Sequence, residues 1–375
     1  MKIGVEARWL RSETTGFGRY ALNLLLEFNR IQPGHQFLVY VNERCENQRL
    51  FNNDRMQQVI VPWKPPFYKQ AGIPLDMVWR RRRLDLFHYA YNAPALWTPG
   101  PFVLTLHDLS YLHVPEMVSW INRTTAWWQL KWKAAQARRI ITVSNISKGD
   151  IVTRLGIDDS RIDVIYHGVE PAFTRATPEK QEAAGLKYAL QRPFFLYVGT
   201  YLPHKNLALL IQAFQRLKAR WPQPAQLVLA GKPGRNSENV KQLIRQLGLE
   251  EDVRLLGFVP DEDLPALYSR SAAFVYPSRC EGFGLPLLEA MACGAPVLAA
   301  NTSCLPEVGA DAAVYFDAHD VEGLAEALFR ILKDDNLRQD MIGRGLARAA
   351  KFSWRSAAES TLQSYEQAAL SRPTP

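Results

Sequence analysis

Three observations predict an α/β protein of two doubly wound domains in tandem. Strand-like apolar runs alternate with amphipathic helical patterns along the whole chain. Proline and charge interrupt this alternation once, over residues 169–193. The 375 residues suit two domains, since single domains commonly hold about 100–200 residues.

The elements follow in order. In the first half "MKIGVEA", "HQFLVYV", "MQQVIVP", "LDLFHYA", "PFVLTLH", "RRIITVS" and "RIDVIYHG" read as strands, rich in β-branched and aromatic residues. Helical patterns such as "RYALNLLLEFNRI" separate them. In the second half "PFFLYVG", "AQLVLAG", "VRLLGFV", "AAFVYPS", "APVLAAN" and "AAVYFD" repeat the theme, with "LALLIQAFQRLKARW" and "SENVKQLIRQLGL" as helices between them. Such alternation implies parallel sheets covered on both faces. Ligands in such folds bind at the carboxyl ends of the strands, here in a cleft expected between the two domains.

Composition narrows the class. With 47% hydrophobic and 22% charged residues the chain can build sizeable cores. Its longest apolar runs, such as "PFFLYVGTYL", fall short of the roughly 18–20 residues of a membrane span. The N-terminus reads as a first strand rather than a signal peptide. Cys45, Cys280, Cys293 and Cys304 form no C-x-x-C pair and no zinc spacing, so a reduced, cytoplasmic compartment is the simplest reading. Charge is one-sided. Residues 1–170 hold 22 Lys+Arg against 15 Asp+Glu, and the remainder 23 against 22. A basic half suggests an anionic partner.

The chemistry concentrates in "SRCEGFGLPLLEAMACGAPVLAA", residues 278–300. "FVYPS" closes as a strand, "EGFG" is a loop, and Pro286 suits the first position of a helix, where its missing N–H is no loss. Gly294 reads as the left-handed cap that ends the helix. Glu281 then lies in the loop and Glu289 about one turn inside the helix. Between them, the N–H groups near Gly284 and Leu285 form a ready phosphate site. The two carboxylates are placed to accept hydrogen bonds from hydroxyls on either side.

This pattern resembles the E-x7-E motif of the retaining family 4 glycosyltransferases, which have the GT-B fold of two facing Rossmann-like domains with a C-terminal crossover helix. The resemblance extends along most of the chain. "VGTYLPHKN" is similar to the segment that gives a lysine, here Lys205, to the donor diphosphate. "TLHDLSYLHVP" looks like the "HD" segment that sets His107 at a strand end. "TTGFGRYALNLL" looks like the first loop and helix. "TVSNISK", "VIYHGVE" and "FSWRSAAE" match the close of the first domain and the returning helix. The resemblance implies an acceptor-binding domain at 1–170, joined by 355–375, a linker at 171–190, and a nucleotide-sugar-binding domain at 191–354.

Carried over residue by residue, Glu281 contacts the transferred sugar, Glu289 holds the ribose and Lys205 neutralises the leaving diphosphate. His107 contacts the donor sugar. Backbone near Val259 binds the base, Phe283, Gly284 and Leu285 line the donor, and Gly16 allows close approach to the diphosphate or acceptor. Relatives often carry an arginine five residues before the lysine; here that position is Thr200, and Arg235 or His204 is left to supply the charge. No metal and no cofactor is implied beyond the nucleotide-sugar itself, because fixed cations and N–H dipoles meet the charge that develops.

Several features read otherwise. "TGFGRY" lacks the G-x-G-x-x-G fingerprint, which disfavours a nicotinamide enzyme. "DED" at 261–263 reads as a helix cap rather than a metal site. His88, His113 and His167 read as structural. Residues 119–139 carry Trp120, Trp127, Trp128 and Trp132 with Lys131, Lys133, Arg138 and Arg139 on one expected helix, either lying in an anionic membrane interface or burying its tryptophans. Near them "VWRRRRLDLFH" adds four consecutive arginines. Aromatics with cations also suit single-stranded nucleic acid, which the sugar-transfer motifs outweigh.

The sequence therefore predicts a metal-independent retaining hexosyltransferase, cytoplasmic or peripheral at the inner membrane face. Mannose from GDP-mannose is the first donor choice, and a lipid-linked oligosaccharide of surface polysaccharide the acceptor. UDP-glucose or UDP-N-acetylglucosamine remains open as donor. A nucleotide-sugar epimerase or hydrolase and a non-catalytic subunit are the rival classes.

Overall fold

The computed structural model describes residues 1–11, 16–31, 34–51, 53–64, 67–91, 97–109 and 120–370. Thr14, Thr15, His113 and the rest of residues 110–119 lie outside the described residues, as do residues 371–375 and the side chains of residues 120–123. The chain forms two compact units. Among the described residues, the first takes those up to 168 and 353–370, and the second 169–352.

All thirteen strand-like runs are strands, and every pairing is parallel. The inner strands, buried on both faces, read as continuous apolar runs, whereas the edge strands β3 and β10 are partly exposed. In the first unit the strands are β1 (Lys2–Glu6), β2 (Gln36–Val41), β3 (Met56–Ile60), β4 (Leu86–Tyr89), β5 (Phe102–Leu106), β6 (Arg139–Thr142) and β7 (Ile162–Val164), in spatial order β3-β2-β1-β4-β5-β6-β7. Val5 of β1 lies between Val39 of β2 and His88 of β4. The order reverses between β1 and β4, so the loops leaving these two strands diverge and open a crevice at their carboxyl ends.

The second unit repeats this plan. Its strands are β8 (Phe194–Val198), β9 (Gln226–Ala230), β10 (Val253–Gly257), β11 (Ala273–Tyr276), β12 (Val297–Ala300) and β13 (Ala313–Phe316), ordered β10-β9-β8-β11-β12-β13. Here the reversal falls between β8 and β11, which pair through Ala273 and Phe195. At the carboxyl ends of β8 and β9 two glycines meet backbone to backbone: a Cβ on Gly231 would stand 2.0 Å from the Gly199 carbonyl oxygen. No side chain fits there.

The last helix, Trp354–Leu370, returns to the first unit. A buried polar chain ties it down. The Tyr365 hydroxyl meets His88 Nδ1 at 2.6 Å, His88 Nε2 meets Thr105 Oγ1 at 2.7 Å, and Thr105 meets the Tyr20 hydroxyl at 3.1 Å. Ser364 adds a bond to Asp163 at 2.7 Å. His88 is thus a fully satisfied core histidine, and burial pushes its pKa down to about 3.

Residues 171–190, expected as a linker, carry the helix Pro178–Lys187, capped by Thr177. Lys187 and Tyr188 at its end both bond the Asp263 carboxylate at 2.6 Å. Asp263, at the start of the helix Leu264–Arg270, makes no side-chain cap. The tryptophan helix runs Trp120–Gln136, so Arg139 belongs to β6, where it pairs with Asp163. Lys133, expected among the exposed cations, is 2% exposed, its ammonium over the Trp132 ring and bonded to Gln136. The helix buries Leu130 and Ala134, Ala137 just beyond its end is buried as well, and Lys133 falls on that side.

Candidate active site

In the second unit the candidate residues gather where the strand order reverses, between β8 and β11. The segment after β8 carries Lys205, and the loop after β11 carries Glu281, so residues far apart in sequence leave neighbouring strands. Lys205 Nζ lies 2.5 Å from Glu281 Oε1 and 3.3 Å from the Tyr276 hydroxyl. The two side chains of the pair are 14% and 12% exposed, which leaves both reachable from one side. Burial alone would raise the Glu281 carboxyl; the Lys205 charge and hydrogen bond, helped by Ser278 and His204, outweigh it and hold the group below the usual carboxylate range. Ser303 fixes the loop from below, accepting from the Glu281 N–H at 3.2 Å and donating to its carbonyl at 2.5 Å.

The helix that follows is Leu285–Ala292, one residue earlier than Pro286 suggests, with Gly284 at its N-cap. Gly284 has φ +93°, a left-handed conformation that favours glycine. Glu289 is buried inside the first turns and accepts from the Tyr268 hydroxyl at 3.3 Å. Phe283 is buried too, its ring 6.0 Å from Phe352, so its side chain serves the core of this unit.

The remaining residues expected at the donor follow the carboxyl ends of neighbouring strands. Thr200 is exposed, and the loop bearing Arg235 folds onto it: a Cβ on Gly234 would touch Tyr201 and Thr200, and the Asn236 N–H bonds the Tyr201 carbonyl at 3.0 Å. Arg235 therefore neighbours the position where relatives carry arginine, whereas His204 is buried near Glu281. Val259 is buried beyond β10, next to Phe258, whose half-exposed ring lies under the Lys232 ammonium at 5.0 Å.

A separate group of candidate residues lies in the first unit. His107 follows β5 and is buried among Phe17, Tyr20 and His167, with ring centroids 4.8–5.5 Å away. Its Nε2 is 3.1 Å from the Ala90 carbonyl. A carbonyl only accepts, so Nε2 carries the proton and Nδ1 is the acceptor. Burial pushes its pKa down to about 4, so the ring is neutral at pH 7. His107 can accept a bond from a hydroxyl through Nδ1. Gly16 opens the helix Gly16–Ile31, exposed, and a Cβ there would meet nothing within 4 Å.

Sequence reasoning missed several residues. Tyr276 and Arg279 stand within the Lys205–Glu281 surroundings, the Arg279 N–H donating to the His204 carbonyl at 2.8 Å. At the end of β1, Glu6 is buried with Arg8 Nε and Lys69 Nζ each 3.5 Å from its carboxylate. Lys69 also lies over the Tyr91 ring, which is 6.4 Å from His107. Burial pushes the Lys69 ammonium down to about 8, with Glu6 opposing. No motif joins these residues; only their positions at strand ends could have hinted at them. Among the described residues no group of His, Cys, Asp or Glu side chains is arranged to hold a metal ion.

Two Rossmann-like units, one presenting a lysine–glutamate pair before a glycine-opened helix, define the GT-B class of glycosyltransferases. Residues 14–173 match the family described as Glycosyltransferase Family 4, and residues 179–348 match Glycosyl transferases group 1. O-antigen chain mannosyltransferase B of Escherichia coli is 32% identical over 387 residues, covering 98% of this chain and 100% of that protein. The serotype-specific mannosyltransferase WbdA of Escherichia coli is 31% identical over 288 residues, 74% of this chain but only 35% of its own length. Among solved structures, Anabaena HepE in complex with UDP and glucose superposes with TM-score 0.77 at 19% identity, covering 98% and 99% of the two chains. The chain belongs to the family 4 glycosyltransferases and is a glycosyltransferase.

Proposed function

We propose that this enzyme transfers mannose from GDP-mannose, with retention at the anomeric carbon, to a lipid-linked or other oligosaccharide acceptor in surface polysaccharide assembly. The Lys205–Glu281 pair before the Gly284-opened helix carries the reading. The full-length likeness to an O-antigen chain mannosyltransferase supports mannose as the sugar. As the bond from the anomeric carbon to the diphosphate breaks, negative charge grows on the leaving phosphate. Lys205 and the N–H groups of Gly284 and Leu285 meet that charge, so no metal is needed. Glu281 accepts from hydroxyls of the sugar, Glu289 holds the ribose, and His107 accepts from a sugar hydroxyl through Nδ1. Arg235 stands in for the arginine absent at Thr200, backbone near Val259 meets the base, and Gly16 leaves room for the diphosphate or acceptor.

The enzyme works as a peripheral protein at the inner face of the cell membrane. Trp128 and Trp132 are exposed on the helix Trp120–Gln136, as an interfacial contact requires. Among the described residues no helix is long and apolar enough to cross a membrane.

The test is transfer from GDP-mannose, compared with UDP-glucose and UDP-N-acetylglucosamine, to an oligosaccharide acceptor, with the anomeric configuration of the product read by NMR. An α-linked mannose product supports the reading. Release of free sugar or epimerised donor without an acceptor would make the chain a hydrolase or epimerase. Turnover with UDP-sugars alone would overturn the choice of donor.

A further inference from the structure

At the carboxyl end of the first sheet a wall of aromatic rings stands beside His107. Trp9 follows β1 and Tyr91 follows β4, the two strands between which the order reverses. Phe17, in the first turn of the helix Gly16–Ile31, joins them: its ring centroid is 6.5 Å from Trp9, 4.1 Å from Tyr91 and 5.1 Å from His107. All three rings are partly exposed, whereas Phe28, Phe37 and Phe87 of the same unit are buried. Large aromatics gathered at a strand-order reversal and left partly open suit a ligand surface better than a core.

The rim of this wall carries charges that cancel. Arg8 lies over the Trp9 ring at 4.7 Å, and Lys69, from the π-helical turn Tyr68–Gly72, lies over the Tyr91 ring at 5.0 Å. Each cation also stands 3.5 Å from the Glu6 carboxylate, which is 1% exposed. A buried carboxylate is costly unless cations face it, so Glu6 and the two cations hold one another in place. Burial first, and then the nearby Asp108 carboxylate, push the Tyr91 hydroxyl above its usual range. Two carboxylates thus balance two cations around the rings. We infer that the wall of Trp9, Phe17 and Tyr91 receives the terminal sugar ring of the acceptor, and that the balanced rim selects a neutral ring over a phosphorylated one. The apolar C–H face of a pyranose packs on aromatic rings, and the Arg8 guanidinium, 15% exposed, meets its hydroxyls. A phosphate would bring about two further negative charges beside Glu6 and Asp108, where the cations are already committed. The inference rests on the reading of an oligosaccharide acceptor, and adds where its terminal ring sits and which charge that ring carries.

The test is saturation-transfer NMR on the full chain with two probes, a methyl mannotrioside and the same trioside phosphorylated on its terminal ring. Neither probe needs a donor, so a wrong donor or a failed transferase reading abolishes transfer but leaves this readout intact. The wild type should bind the neutral probe more tightly than the phosphorylated one. Trp9→Leu and Tyr91→Leu should each weaken the neutral probe about two- to tenfold, whereas Tyr91→Phe, which keeps the ring, should bind it like the wild type. Glu6→Gln keeps the shape but leaves Arg8 and Lys69 less opposed, and should shift the preference toward the phosphorylated probe by about tenfold. Asp108→Asn makes the same change of charge at a partly exposed position, should Glu6→Gln not fold. With a soluble acceptor, the leucine variants should raise acceptor KM more than they lower kcat. Thermal unfolding checks that each variant is folded. A wild type that prefers the phosphorylated probe, or binds neither, overturns the inference. So does neutral-probe binding that both leucine variants leave unchanged.

Discussion

Lys205 and Glu281, 76 residues apart in the chain, meet at 2.5 Å because they leave neighbouring strands at the point where the strand order reverses. The pair gives the lysine a fixed position and keeps the carboxylate ionised despite its burial.

Lys205→Ala should therefore act twice. A charged hydrogen bond to the diphosphate is worth about 1.5–3 kcal/mol, so nucleoside-diphosphate affinity should fall roughly ten- to a hundredfold. The Glu281 carboxyl should also rise, because burial is then opposed only by Ser278 and His204. The acid limb of residual transfer should move to higher pH. Calorimetry with GDP and a pH–rate profile check the two parts, and an unmoved acid limb would dissociate Glu281 from the reaction.

His107 should fail differently. Its Nε2–H is committed to Ala90 and it carries no charge at pH 7, so His107→Ala should leave diphosphate affinity near wild type. Transfer should fall about a hundredfold or more. The same residue also makes a stability prediction. An unfolded histidine takes up a proton near pH 6.5, whereas folded His107 resists until about pH 4. Stability is then lost as pH falls from about 6.5 to 4, and the loss stops below the folded value. His107→Gln should make the pH dependence of thermal unfolding shallower in that window.

Tyr365→Phe keeps the ring that packs 5.9 Å from Phe28 but removes the hydroxyl bonded to His88. A buried imidazole nitrogen left without its partner costs about 1–3 kcal/mol. Denaturant unfolding followed by a probe in the first unit should show this loss, with little change in diphosphate binding.

Two glycine substitutions should separate structural from functional roles. Gly231→Ala forces a Cβ against the Gly199 backbone and should be severely destabilising, since no side chain can move aside. Gly16→Ala meets nothing within 4 Å, so stability should hold. A drop in transfer in Gly16→Ala, with unfolding unchanged, would support close approach of substrate at that helix start.

The strands were legible because sheets covered on both faces are built from continuous apolar runs, and β8 or β12 can be read directly. The loop around Glu281 was legible because its glycine and proline positions constrain the backbone locally. Lys133 was misread because tryptophan counts as apolar in any periodicity. The helix buries Leu130 and Ala134 instead and leaves Trp128 and Trp132 outside. Glu6, Arg8 and Lys69 come together only through the sheet and a π-helical turn, and no local pattern records that. Asp263 illustrates a further limit: position marks a cap, but Lys187 and Tyr188 take the carboxylate.

The returning helix also bears on how the protein is made. Among the described residues the second unit is one unbroken stretch, 169–352, whereas the first needs residues from 353 onward. Domains usually mature in the order in which they leave the ribosome. Here the half that is translated first is finished last, and a truncation near residue 352 should damage it most. Such a chain should still be stabilised by nucleoside diphosphate in its second unit, while protease cuts fall between residues 1 and 168. The C-terminus, distant in sequence, is thus the closing step in building the N-terminal half.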